Sequence, residues 1–208
     1  MQIQTQVGPV SSNGLFPDGS LIQNLRAGRQ GDLIGSDLNP RYFEQTFRRN
    51  NFTAYAGGVV PSLAVPALTG LILWNGTTNI NASLNKVCGM LTATAATCVG
   101  LVLAKGTGQS TAPSAQTAIT AASNDFIGGA APQCTAMTAG TFSVAPVISR
   151  ILLHNTAAIA TTGEDTGFQV DIEGGIIIPP QCYVAICAIG AAGAGGYFNL
   201  SWTETPAF

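Results

Sequence analysis

Apolar and polar residues alternate along much of this chain with the two-residue period of a β-strand. Gly167 to Glu173 places Phe168, Val170 and Ile172 on one face and Gln169, Asp171 and Glu173 on the other. Tyr197 to Glu204 repeats the pattern, with Phe198, Leu200 and Trp202 inward and Asn199, Ser201 and Thr203 outward. Other runs are predominantly apolar. Thr69–Trp74 ends at the turn pair Asn75-Gly76, and Leu84–Leu91 and Cys98–Ala104 follow, the second stopped by Lys105-Gly106. Val144–Leu153 and Cys182–Ile189 have no polar face, and for Val144–Leu153 this predicts a central strand. Ile176–Ile178 runs into Pro179-Pro180, which marks an edge or a corner because proline donates nothing to a ladder.

About eight short strands separated by Gly, Pro and Asn turns, with no helices between them, predict an all-β fold. The expected architecture is an antiparallel β-sandwich or jelly roll over residues 51–208. Within it, 106–140 is rich in Ala, Thr, Ser, Gly and Gln and is expected to form a long surface excursion. A loop that long has a job or meets a partner.

Residues 1–50 read differently, as an arm. They hold nine of the eighteen charged residues and five of the six arginines, namely Arg26, Arg29, Arg41, Arg48 and Arg49. Asn39 suits a helix N-cap and Pro40 the first helical position, so a short helix is expected over about 40–50. It would place Phe43 and Phe47 on one face and pair Glu44 with Arg48. So short a helix needs its aromatic face docked, either on its own β body or on a neighbouring subunit whose carboxylates the arginines reach.

Composition narrows the class. Of 208 residues only 9% are charged, against roughly 25% in a typical soluble domain. Ala, Gly and Thr supply 76 residues, so small neutral side chains stand where charge usually does. This surface is expected to be covered by something other than solvent. A net charge of −2 argues against nucleic acid as a partner. A membrane span is not expected either: the charge-free windows Asn50–Asn85 and Gly174–Thr203 are broken by prolines and glycines. No signal peptide is expected, since Met1–Val7 offers neither a basic nor an apolar region. Cys88, Cys98, Cys134, Cys182 and Cys187 form no Cys-x-x-Cys pair and read as small apolar side chains in a reducing compartment.

The chemistry-bearing residues assemble into no motif. His154 is the only histidine, no Gly-x-Ser-x-Gly elbow exists, and no phosphate-binding loop precedes Lys86 or Lys105. Glu164, Asp165, Asp171, Glu173 and Glu204 are available as paired carboxylates, but Asp171 and Glu173 fall on the polar face of their strand. Asn51, Asn75, Asn81 and Asn199 open glycosylation triplets that read as ordinary turn and strand residues. No catalytic residue, metal site or cofactor is expected.

Two segments resemble a known group. Leu25–Phe52 (LRAGRQGDLIGSDLNPRYFEQTFRRNNF) resembles the N-terminal arm of small virion proteins of tailed bacteriophages. Gly175–Ile186 (GIIIPPQCYVAI), together with Leu200–Glu204 (LSWTE), is similar to their last strands. The Ile-Pro-Pro and Tyr-Val pattern also recurs in trimeric jelly rolls of the tumour-necrosis-factor type. The resemblance implies a non-enzymatic capsid cement or decoration protein, a homotrimer on the outside of the head that is assembled in the host cytoplasm. Its partner would be the major capsid protein, reached through Arg26, Arg29, Arg41, Phe43, Phe47, Arg48 and Arg49. The alternative is a trimeric tail-associated fibre or adsorption module whose 106–140 excursion meets a host surface glycan.

Overall fold

The structure is a computed structural model that describes residues 43–64, 66–91, 100–119, 123–154, 166–189 and 195–207. The chain divides into two compact units, Met1–Arg41 and Tyr42–Phe208, and every described residue belongs to the second. These residues form one short helix, α1 (Phe43–Phe47), and eleven strands. The strands are β1 (Asn51–Val59), β2 (Ala67–Asn75), β3 (Ile80–Leu91), β4 (Gly100–Thr107), β5 (Ser114–Ala118) and β6 (Ser123–Asn124). They continue with β7 (Thr135–Thr141), β8 (Val147–His154), β9 (Thr166–Ile178), β10 (Cys182–Ile189) and β11 (Gly196–Pro206).

Two antiparallel sheets result, one in the order β6-β1-β11-β3-β9 and the other β5-β7-β2-β10-β4-β8. The pairing is nested. Strand β4 pairs with β8, β3 with β9, β2 with β10 and β1 with β11. A single long hairpin rolled so that successive pairs fall in alternate sheets is a jelly roll, so the protein is an all-β sandwich of that type. Strands β5, β6 and β7 come from the connection at the tip of the rolled hairpin, between β4 and β8. They extend the sheets beyond β2 and β1.

Two apolar clusters account for the strands that lack a polar face. Between the sheets, Leu71, Leu73, Leu101, Leu103 and Ile186 meet Leu84, Val87, Leu200 and Trp202. On the outer side of the six-stranded sheet lies a second cluster that includes Leu68, Ile72, Val102, Ala104, Phe142, Tyr183 and Cys187. The chain's own loops are tied over that second face. The Tyr183 hydroxyl donates to the Val144 carbonyl at 2.6 Å, and the Trp74 indole N–H donates to the Gln109 carbonyl at 3.2 Å. Gln109 is itself buried and accepts from the Ser143 N–H and hydroxyl at 3.0 and 2.9 Å. Strand β10 is therefore covered on both faces, which explains why Cys182–Ile189 is apolar throughout.

Several expectations change. The 144–153 run begins its strand at Val147, and among the described residues β8 is an edge strand rather than a central one, paired on one side only, to β4. Lys105-Gly106 does not stop β4, which continues to Thr107. Gly106 is there because the Tyr183 ring lies across it: a Cβ would sit 2.2 Å from that ring. The stretches 167–173 and 176–178 are one strand, β9, joined through a bulge at Glu173 and Gly174, both with positive φ. The 106–140 stretch is not simply a surface excursion, because its ends belong to β4 and β7 and it adds strands to both sheets. Thr203 is buried rather than outward in solvent: β3 carries one extra residue, Asn85, at the register shift opposite Ser201/Trp202, and Asn85 donates to the Thr203 hydroxyl. The described helix has five residues and closes at Arg49, whose φ is 63°.

The outer cluster gives the fold an alkaline limit. Burial pushes the Cys187 thiol up to about 12, and burial followed by the neighbouring Cys187 raises the Tyr183 hydroxyl to about 12. Each group is held neutral in the folded state. Their contribution is complete below the ordinary values, 9.0 for the thiol and 10.0 for the phenol, and is lost as the pH climbs to about 12. The melting temperature is expected to fall progressively above the ordinary thiol value. A flat profile up to the raised values would contradict this.

Candidate functional site

The residues singled out in the arm are distributed as follows. Arg26, Arg29 and Arg41 lie outside the described residues. Phe43 opens α1, its side chain lying outside the described atoms, while Phe47 and Arg48 are exposed. Arg49 turns back onto its own chain. Its guanidinium stands 4.6 Å from the centroid of the Phe126 ring, and its carbonyl accepts from the Asn124 amide at 2.6 Å. The helix exit is thereby joined to the segment that carries β6.

A buried polar clamp strengthens that junction. Asn85 donates to the Asn51 side-chain oxygen and to the Thr203 hydroxyl, both at 2.9 Å. Asn51 donates to the Asp125 carboxylate at 2.6 Å. Glu204, only 6% exposed, accepts from the main-chain N–H groups of Gln133 and Cys134 at 2.9 Å and from the Trp202 indole at 3.1 Å. Two of these bonds hold the 125–134 segment to the end of β11 and the third ties Glu204 to Trp202 of its own strand, so the carboxylate is committed to structure. Asn75 is likewise structural: fully buried, it donates to the Ile80 and Ile178 carbonyls at 2.7 and 2.9 Å.

The remaining candidates for chemistry do not converge. Asp171 and Glu173 are exposed on β9, and Glu164 and Asp165 lie outside the described residues, as does the side chain of His154. Among the described residues no group of three His, Cys, Asp or Glu side chains could hold a metal ion. Cys88, Cys134, Cys182 and Cys187 are free thiols, and burial raises those of Cys134, Cys187 and Cys88, the last partly offset by Lys86. None of those three is a poised nucleophile.

Two surfaces stand out instead. The first is the β8 edge, where Val147 and Ile151 are each 66% exposed and Ile148 45%. Ile151 and Ile148 pair with Val102 and Ala104 of the outer cluster, so they carry that apolar face past its loop cover into solvent. A free ladder edge beside exposed branched side chains is a ready docking element.

The second is a hollow of about 530 Å³ on the outer face of the five-stranded sheet. One cross-strand row runs Tyr55, Asn199, Cys88, Gln169, and the next runs Gly57, Tyr197, Met90, Gly167. Gly167, at one end of the second row, leaves part of the depression open. Tyr55 folds back over Gly57, where an added Cβ would lie 2.6 Å from its hydroxyl oxygen. Its ring comes to rest 6.3 Å from that of Tyr197, with the two planes 21° apart. Neither tyrosine was singled out by the sequence pattern, although the signal was present. Each is an aromatic on the solvent phase of an alternating strand, where core packing does not explain it.

No family model matches the chain, and no curated protein matches it. The described residues contain no helix long and apolar enough to cross a membrane.

Proposed function

We propose that this protein is a non-enzymatic structural subunit of a bacteriophage virion, a cement or decoration protein on the capsid exterior. The observation that carries the reading is the β8 edge. A charge-poor jelly roll there leaves a free strand edge with Val147, Ile148 and Ile151 in solvent. A heterologous contact through that edge, repeated around a three-fold axis, closes a homotrimer. The arm, with Arg26, Arg29 and Arg41, and the helix region, with Phe43, Phe47, Arg48 and Arg49, would reach the major capsid protein. Each bound copy stabilises the assembled lattice by mass action, because it binds the shell in preference to free subunits.

The chain is expected to be oligomeric in light scattering, and Val147→Glu with Ile151→Glu is expected to yield monomers that keep the β-sheet circular dichroism of the parent and lose only the stability that association adds. Both side chains are largely exposed, so the body loses little by the change. Deleting Met1–Arg41 is expected to abolish decoration of capsids. A monomeric parent, or full decoration by the truncated chain, would overturn the respective half of the proposal. The hollow between Tyr55 and Gln169 favours a second reading, a tail-associated adsorption module. Copy number separates the two: a cement protein approaches the abundance of the capsid protein, whereas a tail module is present in few copies per virion.

A further inference from the structure

We propose that the outer-face hollow binds a neutral sugar ring, with Tyr55 and Tyr197 as the stacking platform and Asn199 and Gln169 as the hydroxyl-reading groups. The proposal is independent of the assembly reading, since the hollow lies on the outer face of the five-stranded sheet and the assembly edge belongs to the other sheet. Its volume falls within the range of about 300–1,000 Å³ that small-molecule sites occupy, and its walls are mainly apolar with a few polar groups.

The chemistry of the lining selects the ligand. Among the described residues no charged side chain lines the hollow. The nearest ion pair, Lys86 with Asp171 at 4.0 Å, sits one row beyond Cys88 and Gln169 and satisfies itself. A phosphate, carboxylate or ammonium ligand finds no counter-charge in this described lining, which favours a neutral ligand. A purely apolar ligand is disfavoured for the opposite reason. Among the described residues, the side-chain amides of Asn199 and Gln169 and the hydroxyls of Tyr55 and Tyr197 have no hydrogen-bond partner, and an apolar occupant would seal them off from water.

A pyranose meets both conditions. It offers an apolar C–H face to an aromatic ring and a rim of adjacent hydroxyls. A carboxamide matches such a rim because it presents donor and acceptor side by side. The two rings are half-exposed, 51% for Tyr55 and 41% for Tyr197, so their faces are accessible, and their mutual stacking holds them in place before any ligand arrives. Asn199 stands in the row directly opposite Tyr55 and next to Cys88, on the floor between platform and far wall.

The test titrates the full chain with glucose, galactose, mannose, N-acetylglucosamine and N-acetylgalactosamine, using saturation-transfer NMR and calorimetry, with adenosine and indole as non-sugar rings. At least one sugar is expected to bind with a Kd on the order of millimolar, the affinity of a single shallow ring site. Tyr197→Ala and Asn199→Ala are expected to weaken it about tenfold or more at an unchanged melting temperature. Gly57→Val, which displaces Tyr55 without touching the ligand, is expected to do the same. Should Tyr197→Ala unfold the sheet, the exposed Gln169→Ala decides the matter in its place. Absence of saturable binding by every sugar, sugar binding indifferent to these variants, or binding of indole or adenosine alone would each overturn the site.

Discussion

Replacing Glu204 with alanine is expected to lower the unfolding free energy by about 3–5 kcal/mol, because three buried donors lose their acceptor at about 1–3 kcal/mol each. Those donors are the N–H groups of Gln133 and Cys134 and the indole of Trp202, all within 3.1 Å of the carboxylate. The damage is specific in place as well as size. The 125–134 segment should exchange its amide hydrogens far faster, while β2, β4 and β10, buried between two clusters, keep much of their relative protection. Glu204→Gln keeps one acceptor oxygen but turns an NH₂ group towards donors, so an intermediate loss is expected. Urea unfolding checks the order alanine, glutamine, wild type. A loss below about 1 kcal/mol for alanine would show that water replaces the clamp without penalty.

Gly70→Val is expected to be more severe and to leave no folded protein. Gly70 has φ of 135°, and a Cβ there would lie 2.1 Å from the carbonyl oxygen of Ile186. The obstacle is the backbone of β10, the strand at the middle of the sandwich, so nothing at the periphery can yield. A penalty above about 4 kcal/mol places this among the exceptional single substitutions. Gly58 provides the control: its φ is 70° and nothing lies within 4 Å of the point a Cβ would occupy, so Gly58→Ala should cost only about 1–2 kcal/mol. Soluble yield and circular dichroism separate the two. A folded Gly70→Val variant with a melting temperature near wild type would refute the packing argument.

The sandwich was legible because burial writes directly into alternation. Phe168, Val170 and Ile172 on β9, and Phe198, Leu200 and Trp202 on β11, are inward in the structure as their spacing implies. The runs without a polar face were harder. Cys182–Ile189 and the Val147–His154 strand look alike in sequence, yet one is buried by loops on its second face and the other stands at an edge. Apolar composition records that a face is covered, and it does not record whether the cover comes from the same chain. Thr203 was misplaced because its cover is polar: Asn85, the extra residue at the β3 register shift, and Asn51 bury it through hydrogen bonds, which leave no apolar signal in the sequence. The hollow escaped notice because one of its walls is left open by Gly167 at a row end, and an absent side chain carries no periodic signal.

The rolled hairpin also governs when the protein can exist at all. Strand β11 lies between β1 and β3, although it follows all the other described strands in the chain. Until it is in place β1 has no partner on that side, and the five-stranded sheet is split into two halves whose edges cannot meet. Such long-range closure makes folding slow and all-or-none. A chain broken off before Trp202 would lack the largest buried side chain of the core as well as the strand that joins those halves. The topology thereby makes closure of the five-stranded sheet wait on β11, so only chains translated through that strand can complete it.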